Sequence, residues 1–242
     1  MIPFCFLIIF ILLIIHVYIH KIKYNPKYDK LNSVDINDLR AGDILFMQYC
    51  ETCKRDENVF NNAWISSYRR LGNYVRDCIT GHYYTHVAIV LNIKGKPMIT
   101  HIDSGTMYDT VTDQRQKGRI LVSPWDHLNI RGGSIHVYRY TGDTLPNDSL
   151  SWIECNKDIS YPCLFKLITS NGLKWQKNTN KVMACTDYIE NTLSKYNILD
   201  NHHEISNCAT LDDIYKIVRD NKNYNPVPLI VKNKCYIEKH YK

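Results

Sequence analysis

The sequence predicts an α+β fold, an antiparallel sheet packed on helices, behind an N-terminal transmembrane helix. Three observations carry this expectation. An uncharged apolar stretch, Ile2 to Ile19, opens the chain; short apolar runs bounded by turn residues follow it; and helical periodicity takes over beyond Pro146. As a helix the stretch reaches ~27 Å at ~1.5 Å per residue, which spans a bilayer core. It has neither the basic start nor the small-residue cleavage site of a signal peptide, so it is expected to remain as an anchor. Lys21, Lys23, Lys27 and Lys30 follow directly, and the positive-inside rule then places the remainder in the cytosol or inside a virion. The expected organisation is an anchor over residues 2–19, a basic juxtamembrane linker over 20–38 and one domain over 39–236.

Within that domain, Leu39 to Gln48 has a turn at Ala41-Gly42-Asp43 followed by an apolar run, the pattern of a first core strand. A polar insertion covers Tyr49 to Asn62. From Ala63 to Ile79 apolar residues recur every three or four positions, predicting a half-buried helix that Gly81 can end. His86 to Ile93 and Met98 to Ile102 are apolar runs separated by Lys94-Gly95-Lys96-Pro97, a hairpin signal. With Gly95-Lys96 at the centre of the turn, facing residue numbers sum to ~191, setting His86 near position 105 and His101 near position 90. Further strands are expected at Arg119 to Val122 and Ser134 to Tyr140. Helices are expected at Leu150 to Cys155, Cys163 to Ile168, Met183 to Tyr196 and Leu211 to Val218, and a proline-led edge strand at Pro228 to Tyr236.

The net charge of +6 is spread among interleaved acids, and no aromatic-basic module of a nucleic-acid binder is present, so no nucleic-acid partner is expected. Nine cysteines in irregular spacing match no disulfide scaffold. Cys50 and Cys53 form a CxxC pair, but no second pair or HxxxH follows to complete a zinc site. His82, His127 and His202-His203 match no motif and read as loop or surface residues; Asp109, Asp113 and Arg115 read as a solvated loop.

The candidate chemistry lies in KVMACTDYIENTL, residues 181–193, where Cys185 sits at a predicted helix start downstream of the histidine-led strand beginning at His86. Helix start and nearby imidazole are the two influences that convert a thiol into a thiolate. The backbone N–H of Cys185 would serve as one oxyanion donor, with Tyr84 the candidate for a second. His101 and Asp103 share a strand face on the partner strand.

Leu39 to Phe46 (LRAGDILF), Thr80-Gly81 ahead of Tyr84 to Val90 (YTHVAIV), and Ala184 to Tyr188 (ACTDY) together resemble the circularly permuted NlpC-like papain-fold hydrolases. The closest branch is YiiX-like, which includes poxvirus members and is related to the lecithin retinol acyltransferase group. The resemblance runs from about Leu39 to Val218 and includes Ala209 to Ile214 (ATLDDI). It implies Cys185 as nucleophile, His86 as general base and His101 as the group orienting that base, with Asp103 as the alternative third residue and no metal or cofactor. Where the family has Cys-Ser-Glu, this chain has Cys185-Thr186-Asp187. The implied activity is a hydrolase or acyltransferase on an amide or (thio)ester, acting near a bilayer on a lipid, acyl-peptide or small-molecule substrate. The alternative is a silent membrane or virion protein that uses the same fold for interaction.

Overall fold

A computed structural model describes residues 11, 12, 15, 32–47, 84, 86–103, 106–123, 135–161, 183–199 and 211–231. The chain divides into two compact units, Met1–Asp29 with Lys54–Tyr83 and Lys30–Cys53 with Tyr84–Lys242. In the first, only the exposed helical residues Ile11, Leu12 and Ile15 are described. The rest of the expected anchor, the Ala63–Ile79 and Cys163–Ile168 helices and the Cys50/Cys53 pair lie outside the described residues, as do His82, His127, His202 and His203. Among the described residues no helix is long and apolar enough to cross a membrane.

The second unit is α+β. Its strands are β1 (Ser33–Val34), β2 (Ile44–Met47), β3 (His86–Ile93), β4 (Lys96–Ile102), β5 (Thr106–Asp109), β6 (Gln114–Lys117), β7 (Ile120–Ser123), β8 (Ile135–Tyr138) and β9 (Leu229–Val231). Its helices are α1 (Leu150–Cys155), α2 (Cys185–Lys195) and α3 (Leu211–Asp220). A seven-stranded sheet runs β1-β9-β8-β2-β3-β4-β7, and β5 and β6 form a separate hairpin. The β1–β9 pair is parallel and the other described pairs are antiparallel.

Two sequence expectations change here. β9 is interior, because Ser33–Val34, within the segment read as linker, pairs outside it and Ile230 N–H bonds the Asn32 carbonyl at 2.9 Å. The expected solvated loop around Asp109 is the β5–β6 hairpin, held by a buried carboxylate rather than by an apolar face. Asp109 accepts from the Thr112 hydroxyl at 2.6 Å, the Thr112 N–H at 3.1 Å and the Val122 N–H at 2.9 Å. The Thr110 N–H in turn bonds the Val122 carbonyl at 2.9 Å.

The β3–β4 turn sets the register that matters most. Lys94 and Gly95 both have positive φ, 51° and 76°, as a two-residue type I′ turn requires, and Ile93 faces Lys96. Facing numbers therefore sum to about 189 rather than the expected ~191. The Asn147–Asp148 segment fixes this turn: Gly95 N–H bonds the Asn147 carbonyl at 3.0 Å and Lys94 N–H bonds Asp148 Oδ1 at 3.1 Å.

Alternation along the strands then divides the side chains between two faces. One carries Leu45, Met47, Ala88, Val90, Ile99, Ile135 and Val137, which pack together with Val34, Leu39 and Val231. The other carries Phe46, Ile89, Thr100 and Tyr138 beneath α2 and α3. Tyr188 of α2 donates to Thr100 Oγ1 at 2.9 Å, and Tyr215 of α3 stacks edge-on against Phe46 and Tyr138. At the start of β2, Asp43 is fully buried, paired with Arg139 at 3.1 Å and accepting the N–H groups of Arg40 and Tyr140. Burial nevertheless pushes its carboxyl up to about 6, against these stabilising partners.

Two predictions follow from this packing. Gly42 has φ +95°, and a Cβ there would meet the Tyr140 ring at 2.4 Å. Gly42→Ala should therefore cost roughly 1–3 kcal/mol in urea unfolding. His136, buried on the α3 side with its Nδ1 2.6 Å from the Tyr84 hydroxyl, is pushed down to about 4 by desolvation. Between pH 4 and its ordinary 6.5 the unfolded chain binds the extra proton, so the contribution is fully present above 6.5 and is lost as pH falls. Asp43 acts in the opposite direction over part of this window, so the comparison is with His136→Phe. The wild type should lose up to about 3 kcal/mol more than that variant on acidification from 6.5 to 4, with a pH-independent difference above 6.5.

Candidate functional site

His86 opens β3 with its side chain on the face of Ala88 and Val90. Continuing the β3–β4 register puts His101 opposite Ala88 and Asp103 opposite His86, on that same face. The two imidazoles meet edge to face, centroids 5.1 Å apart at 84°, with His86 Nε2 3.1 Å from His101 Nδ1. One of these nitrogens carries the proton and donates it to the other. Asp103 Oδ2 lies 3.9 Å from the same His86 Nε2, beyond hydrogen-bond reach but close enough to act on the ring by its charge. All three side chains are buried. Because facing numbers sum to 189 rather than ~191, position 103 and not 105 faces His86, which brings Asp103 as well as His101 to the base.

Cys185 is the first residue of α2 and is buried. The helix starts without a side-chain oxygen at its N-cap, Ala184; instead the Asp187 carboxylate, three residues on, accepts the Ala184 N–H at 2.8 Å. Through Tyr188, α2 lies on the sheet face opposite to the histidines. The sulfur is nevertheless reached by the backbone N–H of Val87, the residue after His86, and by that of Thr186. Val90 N–H bonds Asp43 on the β2 side at 2.9 Å, so alternation turns the Val87 N–H toward β4. The run of β3–β4 partners ends at Ile89 and Thr100, short of Val87.

The electrostatics differ from the expectation. Burial pushes the Cys185 thiol up to about 11; the Asp103 and Asp187 charges add to this, and the Val87 and Thr186 N–H groups only partly oppose it. Desolvation outweighs the helix start, so the thiol is protonated at neutral pH. Tyr84, the candidate second oxyanion donor, places its hydroxyl 2.6 Å from His136 Nδ1 and its ring against Phe46 and Tyr215. Sequence reasoning missed two groups. The Val87 N–H is a backbone donor with no residue signature, and Glu190 is a buried acid one turn beyond Asp187, pushed up to about 7 by burial and by the charges of Asp187 and Asp213.

Among the described residues one group of side chains brings metal-ligating atoms together: His86, His101 and Asp103, all within 4.8 Å of one another. The arrangement offers a proton acceptor, its buried partners and a thiol, or alternatively three ligands for a cation. No family model matches the sequence, and no curated protein matches it either.

Because the Asp103 charge holds the thiol up, Asp103→Asn should shift the Cys185 titration to lower pH. The measurement is thiolate ultraviolet absorbance, taken as the difference from Cys185→Ala to remove the other cysteines. An unchanged or raised titration would show that Asp103 does not act on the sulfur.

Proposed function

We infer that this chain is a thiol-dependent hydrolase or acyltransferase acting on an amide, ester or thioester carbonyl through an acyl-enzyme on Cys185, on a circularly permuted papain-like (NlpC-like) fold. The observation that carries the reading is the approach of the Cys185 sulfur to the peptide that follows His86, while His101 and Asp103 both address the Nε2 edge of that ring. With Nε2 engaged in this way, Nδ1 is the nitrogen by which His86 would exchange a proton with the thiol. Since the resting thiol is protonated, His86 takes the proton as sulfur attacks, rather than holding a preformed ion pair. The carbon–sulfur bond forms, the carbonyl oxygen becomes an oxyanion near the Cys185 N–H, and collapse expels the leaving group with the proton from His86. Water or a second acceptor, activated by the same ring, then attacks the thioester and releases Cys185. His101 orients His86 and Asp103 stabilises its protonated form.

The Ile2–Ile19 stretch would tether this chemistry to a bilayer, with the domain cytosolic or virion-internal, which favours lipid or acylated-protein substrates. A second reading, a silent membrane or virion protein using the fold as an interaction scaffold, is favoured by the same buried, protonated thiol. Thiol labelling separates them. With iodoacetamide, Cys185→Ala should remove the labelled site, and His86→Ala should slow labelling of Cys185 at neutral pH by removing the base that takes its proton, the difference closing as pH approaches the raised thiol value. His101→Ala should be milder. Equal labelling of wild type and His86→Ala across this range would establish the scaffold reading.

A further inference from the structure

We propose that His86 Nε2, His101 Nδ1 and Asp103 Oδ2 form a binding site for a divalent cation of the zinc class, and that occupancy switches off the thiol chemistry of Cys185. One ligand atom from each residue lies within 4.8 Å of those of the other two, with His86 Nε2 and His101 Nδ1 3.1 Å apart and Asp103 Oδ2 3.9 Å from His86 Nε2. A tetrahedral ion with bonds of ~2.0–2.1 Å needs ligand atoms roughly 3.3–3.5 Å apart, so small rotations of these side chains close the site. Two imidazoles and one carboxylate, all buried, are the borderline donor set that such ions prefer. His86 and His101 stand on β3 and β4, and Asp103 is the residue that directly follows β4. Three protein ligands leave a position for water or another small ligand.

Metal and proton compete for the same contact. In the metal-free state the 3.1 Å pair shares one proton between the two nitrogens. The reading of His86 as base through Nδ1 requires that proton on His86 Nε2, and a cation bound to both nitrogens moves it to His86 Nδ1, with no net gain or loss. His86 bound through Nε2 then holds its N–H at Nδ1 and can no longer accept a proton there. Inhibition of the thiol therefore rests on the reading of His86 as base, whereas metal binding does not.

The test uses the full-length chain, metal-depleted, with Zn2+ for affinity and Co2+ as a spectroscopic probe. One equivalent should bind with weak ligand-field bands from nitrogen and oxygen ligands. His101→Ala and Asp103→Asn should each weaken it by ~10-fold or more, and Cys185→Ala should leave it in place. Asp103→Asn is nearly isosteric and keeps the test valid if His101→Ala does not fold. Zn2+ should also slow iodoacetamide labelling of Cys185 in wild type but not in Asp103→Asn. Cobalt bound instead at a pair such as Cys50 and Cys53 would show intense sulfur-to-metal charge transfer. That band, with affinity unchanged in Asp103→Asn, would overturn the proposal. Cobalt binding that depends on Asp103, found together with equal labelling of wild type and His86→Ala, would uphold the metal site and remove the thiol mechanism alone.

Discussion

The spatial relation of the candidate groups depends on the conformation of two residues, Lys94 and Gly95. Both adopt positive φ, and this fixes which residues of β3 and β4 face one another. A shift of one position along the ladder would carry His101 and Asp103 to the α2 side and leave His86 among aliphatic neighbours. The turn is accordingly not left to local preference: the Asn147–Asp148 segment bonds both of its N–H groups from a distant part of the chain. Asp43 does the corresponding work at the start of β2, where one carboxylate joins Arg40, Arg139 and Tyr140.

Within this frame the thiol belongs to a different element from the imidazoles and lies on helix α2, which packs against the reverse face of the sheet. What reaches the sulfur from β3 is a backbone donor, the Val87 N–H next to His86 in the chain. Desolvation then sets the resting state, neutral rather than ionic, in agreement with the general rule that burial disfavours the charged form of an unpaired group. Chemistry at such a thiol has to couple proton removal to bond formation, and the cost of charge separation falls on the transition state and on whatever groups surround it.

Much of this was legible in the residues. β3 over His86–Ile93 and α1 over Leu150–Cys155 match the apolar periodicity, and the start of α2 at Cys185 falls within its predicted helix. The register was off because the sequence Lys94-Gly95-Lys96-Pro97 allows two centres for the turn, and only the Asn147–Asp148 contacts, remote in sequence, select one. The β5–β6 hairpin was hidden because Gln114–Lys117 has no apolar alternation; its order comes from the buried Asp109. The interior position of β9 depends on a two-residue parallel partner too short to leave a pattern. Among the candidate site residues, their types were readable, but the protonation state of Cys185 was not, since it is set by burial among residues distant in the chain.

The Asp109 hairpin has an effect beyond its own stability. Among the described residues β7 ends the sheet, and an exposed terminal strand offers a row of open backbone groups to any passing chain. Here the outward N–H and carbonyl of Val122 are already taken, by the Asp109 carboxylate and the Thr110 backbone. Among the described residues, the border of the sheet is thus covered at Val122 by a side chain and a turn. A strand added at Val122 would have to displace both of these bonds.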